Sequence, residues 1–263
     1  MSAPELKTYL ERLVKAFERP AFIQDDPIAV AHGFDDPRDQ EVIGLYSALL
    51  AWGRRETVLT KMATLCDLMD WRPYEFVMHF DRGQLSDRLA DFKHRTFQPL
   101  DAIWFTRNLS TLIMRWGSVE KIFAGHMSAD SRDIAPAIEG FSRSIMMASA
   151  ETPARLRKHL ARPRSGSACK RLCMYLRWMV RRPPVDLGIW TMIQPAQLVL
   201  PLDVHSGRQA RALGMLTRKA DDWKSAIELT GRCREFCPED PARYDYAFFG
   251  LGAYGDPTSG SNP

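Results

Sequence analysis

An all-α, two-lobed helical bundle is the fold class this sequence predicts, on three observations. Apolar residues recur at the helical period along almost the whole chain, alternating runs of strand length are scarce, and Pro and Gly cut the chain into helix-sized pieces. The length of 263 residues suits one large helical body or two lobes, and a hydrophobic share of 45% with 10% aromatics supplies a core.

The elements follow in order. Leu6, Tyr9, Leu10, Leu13, Val14 and Phe17 form one apolar stripe. Val42, Ile43, Leu45, Tyr46, Leu49, Leu50 and Trp52 form a denser one, expected near the centre of a bundle. Further helices fit residues 55–70, 100–116, 134–148, 169–180, 204–214, 221–235 and 241–251. Breaks fall at Pro27 to Pro37, Arg72-Pro73, Gly83, Pro99, Gly117, Pro153, Pro163 to Gly166, Pro183-Pro184 and Pro195 to Pro201. These divide the chain into an N-terminal lobe, 1–154, a C-terminal lobe, 155–254, and a mobile tail, 255–263, with terminal helices free to exchange between lobes.

Net charge is only +4, but it is unevenly placed. Residues 155–185 hold ten Lys and Arg and no acid, whereas the segments on either side carry a slight acidic excess. The block comprises Arg155, Arg157, Lys158, Arg162, Arg164, Lys170, Arg171, Arg177, Arg181 and Arg182, with His159 among them. Such a block is either a solvated face or a phosphate-binding surface, and its density favours nucleic acid. The five cysteines, an odd number without Cys-x-x-Cys knuckles, read as reduced thiols, and no metal site is expected. No apolar run of about 18 residues exists, and charges fill the first thirty positions, so the expectation is a cytoplasmic protein without membrane partners.

Two segments carry chemistry. Pro163 to Val180 reads as a helix, a glycine-containing turn at Gly166, and a second helix with Lys170 in its first turn. There the helix dipole and the adjacent Arg171 both disfavour a charged ammonium and push the amine toward a nucleophilic form. A phosphate-binding lysine on a turn is the equal alternative. Leu200 to Gly214 places Asp203 at the start of a helix, followed by His205 and Arg208. Asp203 is either an N-cap contributing about 1 kcal/mol or a carboxylate held ionised by the first amides, able to accept a proton or steady a developing cation.

The run Pro201-x-Asp203-x-His205-x-x-Arg208, closing at Leu213-Gly214, resembles the aspartate motif of the helix-hairpin-helix DNA glycosylase superfamily. Gly166-Ser167-Ala168-Cys169-Lys170 resembles its hairpin, with Ala168 at the second small position. The spacing between Lys170 and Asp203 is most similar to the archaeal 8-oxoguanine glycosylase branch. At full length, Leu50 to Arg54, Phe92 to Arg95, Lys170 to Val180, Leu200 to Arg208 and Tyr244 to Gly252 look like an uncharacterised, mainly bacterial family.

The resemblance implies a helix-hairpin-helix element and base excision with an associated AP lyase step, plausible on an oxidised purine such as 8-oxoguanine. It makes Lys170 the nucleophile and Asp203 the catalytic carboxylate. The expected partner is double-stranded DNA carrying a damaged or abasic site, with a monomer expected to bind it through Arg157, Lys158, Arg164, Gly166, Arg171, His205 and Arg208. No cofactor is implied, and an iron–sulfur cluster is not expected because only Cys233 and Cys237 follow the aspartate helix. A flipped base needs aromatic faces and a polar edge, for which Trp52, His94, Met174, Phe248 and Tyr254 are the candidates. The alternatives are a non-catalytic nucleic-acid-binding helix-hairpin-helix protein and an all-α protein whose basic face meets an acidic partner.

Overall fold

The computed structural model describes residues 1–80 and 85–257, so the expected tail lies, from residue 258 on, outside the described residues. The chain is all-α as expected: among the described residues there is no strand, and only two isolated antiparallel bridges, His94 with Phe97 and Ser167 with Asp222. In chain order the helices are α1 (Ala3–Phe17), α2 (Ala29–His32), α3 (Pro37–Leu50), α4 (Arg55–Leu68), α5 (Pro73–Met78), α6 (Leu85–Arg88) and α7 (Pro99–Trp116). Then come α8 (Val119–Ala124), α9 (Ala135–Met147), α10 (Lys170–Val180), α11 (Val204–Ala212), α12 (Trp223–Phe236) and α13 (Asp245–Tyr254).

Two compact units share these helices. The terminal unit comprises Met1–Gln24, Arg132–Ile134 and Pro163–Pro263, and the inserted unit Asp25–Ser131 and Ala135–Arg162. Relative to the expected division at 154/155, residues 155–162 belong with the inserted unit and α1 belongs with the C-terminal helices. The packing of α1 gives the reason. Its stripe residues Leu10, Leu13 and Val14 are buried, the Phe17 ring lies against Gly250 of α13 where no side chain would fit, and Phe17 stacks on Tyr254 at 6.0 Å. Tyr9 donates to Asp256 at 2.9 Å and Tyr244 to Glu11 at 2.5 Å, so polar as well as apolar contacts join the two ends of the chain.

Within the inserted unit, the dense stripe of α3 is buried from Glu41 to Leu50, as a central helix should be. Glu41 is tolerated there because it accepts from the amides of Val119 and Glu120 at the start of α8, at 3.3 and 3.1 Å. Phe123 of α8 stacks on Phe141 of α9 at 4.1 Å. No helix among the described residues is long and apolar enough to cross a membrane.

Candidate active site

The expected helix-turn-helix around Gly166 is present only in its second half. Pro163–Ser165 forms a single 3-10 turn in place of a first α-helix, because Pro163 starts it and Gly166, at φ +80°, ends it three residues later. The carbonyl of Gly166 accepts from the Trp223 amide at 3.2 Å, and Ser167 bridges to Asp222, so the turn is tied to the start of α12. Cys169 then takes a left-handed conformation, φ 52°, and its amide bonds the Ser167 hydroxyl at 3.2 Å. This fixes Lys170 as the first residue of α10.

Asp203 arrives from the other direction. Between α10 and α11 the chain runs without an α-helix, yet Val185, Trp190, Ile193 and Leu198 to Leu200 are buried. Its backbone is satisfied locally: the amides of Leu187 and Trp190 donate to the carbonyls of Trp178 and Met179, both at 2.8 Å, capping the open end of α10. The Leu200 amide donates to Thr230 at 3.1 Å. Asp203 then caps α11: its Oδ1 accepts from the amides of His205 and Ser206 at 2.9 Å and from the Ser206 hydroxyl at 2.8 Å.

The other carboxylate oxygen, Oδ2, lies 3.0 Å from Lys170 Nζ. Residues 33 apart in sequence thus meet, with side chains 31% and 22% exposed, so the pair is sheltered but open to a ligand. Burial pushes the Asp203 carboxyl up, but the Lys170 charge and the Ser206 donors outweigh it and hold it below the ordinary carboxylate range. Asp203 therefore stays ionised at neutral pH, facing an amine.

A third group went unnoticed in the sequence. Asp245, the first residue of α13, is buried and bonded to Arg177 of α10. Burial raises its carboxyl to about 6 despite the Arg177 and Lys170 charges, with Asp203 adding to the rise. A lone acid in the apolar run Tyr244 to Tyr254 was the signal that could have found it.

The remaining candidates divide between the units. His205 and Arg208 are exposed on α11, and Arg164 is exposed on the 3-10 turn. Gly166 is exposed, with open space where a side chain would stand. Arg171 is partly buried, which lowers its pKa. Met174 is nearly buried, and Phe248 is fully buried, which leaves no ring face for a stacked base. Tyr254 is 55% exposed.

Trp52, His94, Arg157 and Lys158 lie in the inserted unit. Arg157 and Lys158 are exposed there, and Lys158 comes within 4.0 Å of Asp101. His94 is not an open polar edge: it is buried, and its Nε2 bonds the Trp52 carbonyl at 3.1 Å.

The basic block is not a continuous solvated face. Arg177 and Arg181 are both 4% exposed and enclosed by acids, Asp186 close in sequence and Glu18, Asp240 and Asp245 distant. Arg177 meets Asp186 at 3.2 Å and also Asp245. Arg181 meets Asp186, Glu18 and Asp240 at 2.6 to 2.9 Å. Both guanidiniums pack on the Tyr246 ring, at 4.4 and 5.4 Å from its centroid. These two arginines are structural, and a phosphate-binding role is removed from them because their hydrogen-bonding edges are already used.

Fold and site together define an all-α protein in which a helix-start lysine meets a helix-capping aspartate. The chain belongs to the family described as "Protein of unknown function (DUF2400)", whose model matches residues 26–254. No curated protein and no solved structure matches it.

Proposed function

We propose that the protein is a DNA base-excision glycosylase with an associated AP lyase step, acting on duplex DNA that carries an oxidised purine such as 8-oxoguanine. The observation that carries this is the 3.0 Å contact between Lys170 Nζ and Asp203 Oδ2. A nucleophile and its proton acceptor must lie within hydrogen-bond reach, and this pair does, at the starts of two different helices.

In this mechanism Lys170 yields a proton to Asp203, and the freed amine attacks C1′ of a nucleotide turned out of the duplex. The bond from C1′ to the base breaks, its electron pair leaves with the base, and the proton held by Asp203 follows. Once that proton is given up, the carboxylate is ionised again and steadies the positive charge on the nitrogen now bound to C1′. Ring opening leaves a Schiff base between Lys170 and C1′. Loss of a C2′ proton then expels the 3′ phosphate and nicks the strand. Water releases the lysine.

Borohydride trapping tests the proposal, because it reduces the Schiff base to a stable crosslink. Wild type should crosslink to duplexes carrying 8-oxoguanine or an abasic site, with the adduct on the Lys170 peptide. Lys170→Arg keeps a positive charge but offers no neutral amine, so it should bind DNA and trap nothing.

A second reading, a non-catalytic nucleic-acid-binding protein, draws on the complete use of Asp203 Oδ1 as a helix cap. Absence of trapping in wild type on abasic DNA and on oxidised, alkylated and deaminated bases would leave that reading in place.

A further inference from the structure

Two loops of the inserted unit hold one arginine in a way that its fold does not require. The first, residues 51–54, leaves α3, and the second, residues 92–98, precedes α7. His94 joins them through its bond to the Trp52 carbonyl, and its ring meets the Trp52 ring edge-on at 6.0 Å. His94 and Phe97 exchange both backbone hydrogen bonds at 2.9 Å, and Gln98 Nε2 donates to the Arg95 carbonyl at 2.9 Å. The turn so closed places Arg95 in the left-handed region, φ 53°, a conformation that costs a non-glycine residue on the order of 1 kcal/mol.

The Arg95 guanidinium lies over the Trp52 indole, 5.1 Å from the ring centroid. It also occupies the space beside Gly53, where any Cβ would come within 2.5 Å of Arg95 Nη1. Gly53 itself stands at φ +108°. Strain, a stacking surface and a missing side chain thus combine to hold one guanidinium at the surface. Arg95 makes no ion pair with any described residue, unlike the structural Arg177 and Arg181. Arg54 and Lys93, on the same two loops, are also exposed and make no ion pair with a described residue.

A fixed, unpaired guanidinium is prepared for an anion, since its ordering cost is met before binding. Three exposed cations spread along two loops suit a chain of phosphates better than one small anion in an enclosed site. We infer that this loop pair binds the DNA backbone, with Arg95 bonding one phosphate and Arg54 and Lys93 reaching neighbouring ones. The inference rests on the DNA reading above and adds a surface outside the basic block. Trp52 and His94 become positioning residues that hold Arg95, in place of a base pocket.

The test is fluorescence anisotropy with a labelled duplex containing an abasic-site analogue, titrated over a range of salt with the full chain. The triple variant Arg54→Gln, Lys93→Gln, Arg95→Gln should melt close to wild type, because all three side chains are exposed. Its affinity at about 0.1 M salt should fall roughly tenfold or more, and its salt slope should shrink by about 0.9 for each phosphate that the variant no longer neutralises. Arg95→Lys keeps the charge without the stacked fork and should fall between wild type and the triple variant.

Unchanged affinity and slope in the triple variant, with weakened binding in Arg157→Ala, Lys158→Ala, Arg164→Ala, would overturn this inference alone. A wild type that binds no duplex would overturn the DNA reading with it. Binding of a polyglutamate peptide as tightly as DNA, abolished in the same triple variant, would assign the loops to an acidic protein and overturn the inference too.

Discussion

The two halves of the basic block, 155–164 and 170–182, each carry four Arg and one Lys, yet their arginines meet different surroundings. In the first half Arg157 and Lys158 stand at the surface, and Arg155, Lys158 and His159 gather around the buried carboxylate of Asp101 at 3.0, 4.0 and 3.3 Å. In the second, Arg177 and Arg181 sink into the terminal unit with Glu18, Asp186, Asp240 and Asp245 around them. A run of like charge in a sequence therefore does not reveal how much of it reaches solvent. The helical period decides: Lys170, Met174 and Arg177 share one face of α10 with the C-cap Arg181, and the cations of that face meet Asp203, Asp186, Asp245, Glu18 and Asp240.

Breaking the buried half should give the largest effect on stability. Arg181→Gln leaves three carboxylates without their shared cation and should cost about 3–5 kcal/mol, a fall of roughly 10 °C in Tm by calorimetry. An unchanged Tm would mean that the network contributes nothing to the fold.

Asp245 should reveal itself through pH. Its folded pKa, about 6, is above the ordinary carboxylate value, so between pH 4 and 6 the unfolded chain gives up this proton first. This group's contribution therefore falls as pH rises through that window. Asp245→Asn should flatten that part of the Tm profile, and a profile of unchanged slope would refute the assignment.

Asp203→Asn should be milder, because the amide oxygen still caps α11. We expect a loss of about 1 kcal/mol or less, near-normal DNA binding, and base excision down by orders of magnitude. Since the wild-type carboxyl is held below its unfolded value, its contribution is present at neutral pH and lost only as pH falls below the usual carboxylate range. Normal excision by the variant would leave Asp203 as a cap alone.

The exposed half should be the most tolerant. Arg157→Ala, Lys158→Ala, Arg164→Ala together should move Tm by no more than a few degrees. They should weaken binding to all duplexes alike and reduce the salt slope. Loss of affinity for one sequence only would contradict phosphate binding.

Much of the fold was legible in the sequence because its signals are local. The stripes of α1 and α3, and helices near 55–70, 100–116 and 134–148, were readable from periodicity within single segments. Lys170 and Asp203 could be paired because each opens a helix in a motif of recognisable spacing. The distant acids around Arg177 and Arg181 were not legible, since Glu18 stands 163 residues before Arg181 and Asp245 stands 68 after Arg177. Nor was the fate of His94, whose partner is a backbone carbonyl 42 residues away and leaves no trace in residue type. The first arm of the hairpin departs from the expected helix because a proline and a positive-φ glycine three residues apart leave room for one 3-10 turn.

The packing of α1 against α13 also bears on how the molecule is made. During synthesis Gly250, Tyr254 and Asp256, which receive Phe17 and Tyr9, follow α1 by more than two hundred residues. Its apolar stripe must wait through more than two hundred residues of elongation, while the inserted unit can gather its own core from consecutive sequence. Docking of α1 therefore waits for α13 to be made, so the terminal unit closes later than the inserted unit can.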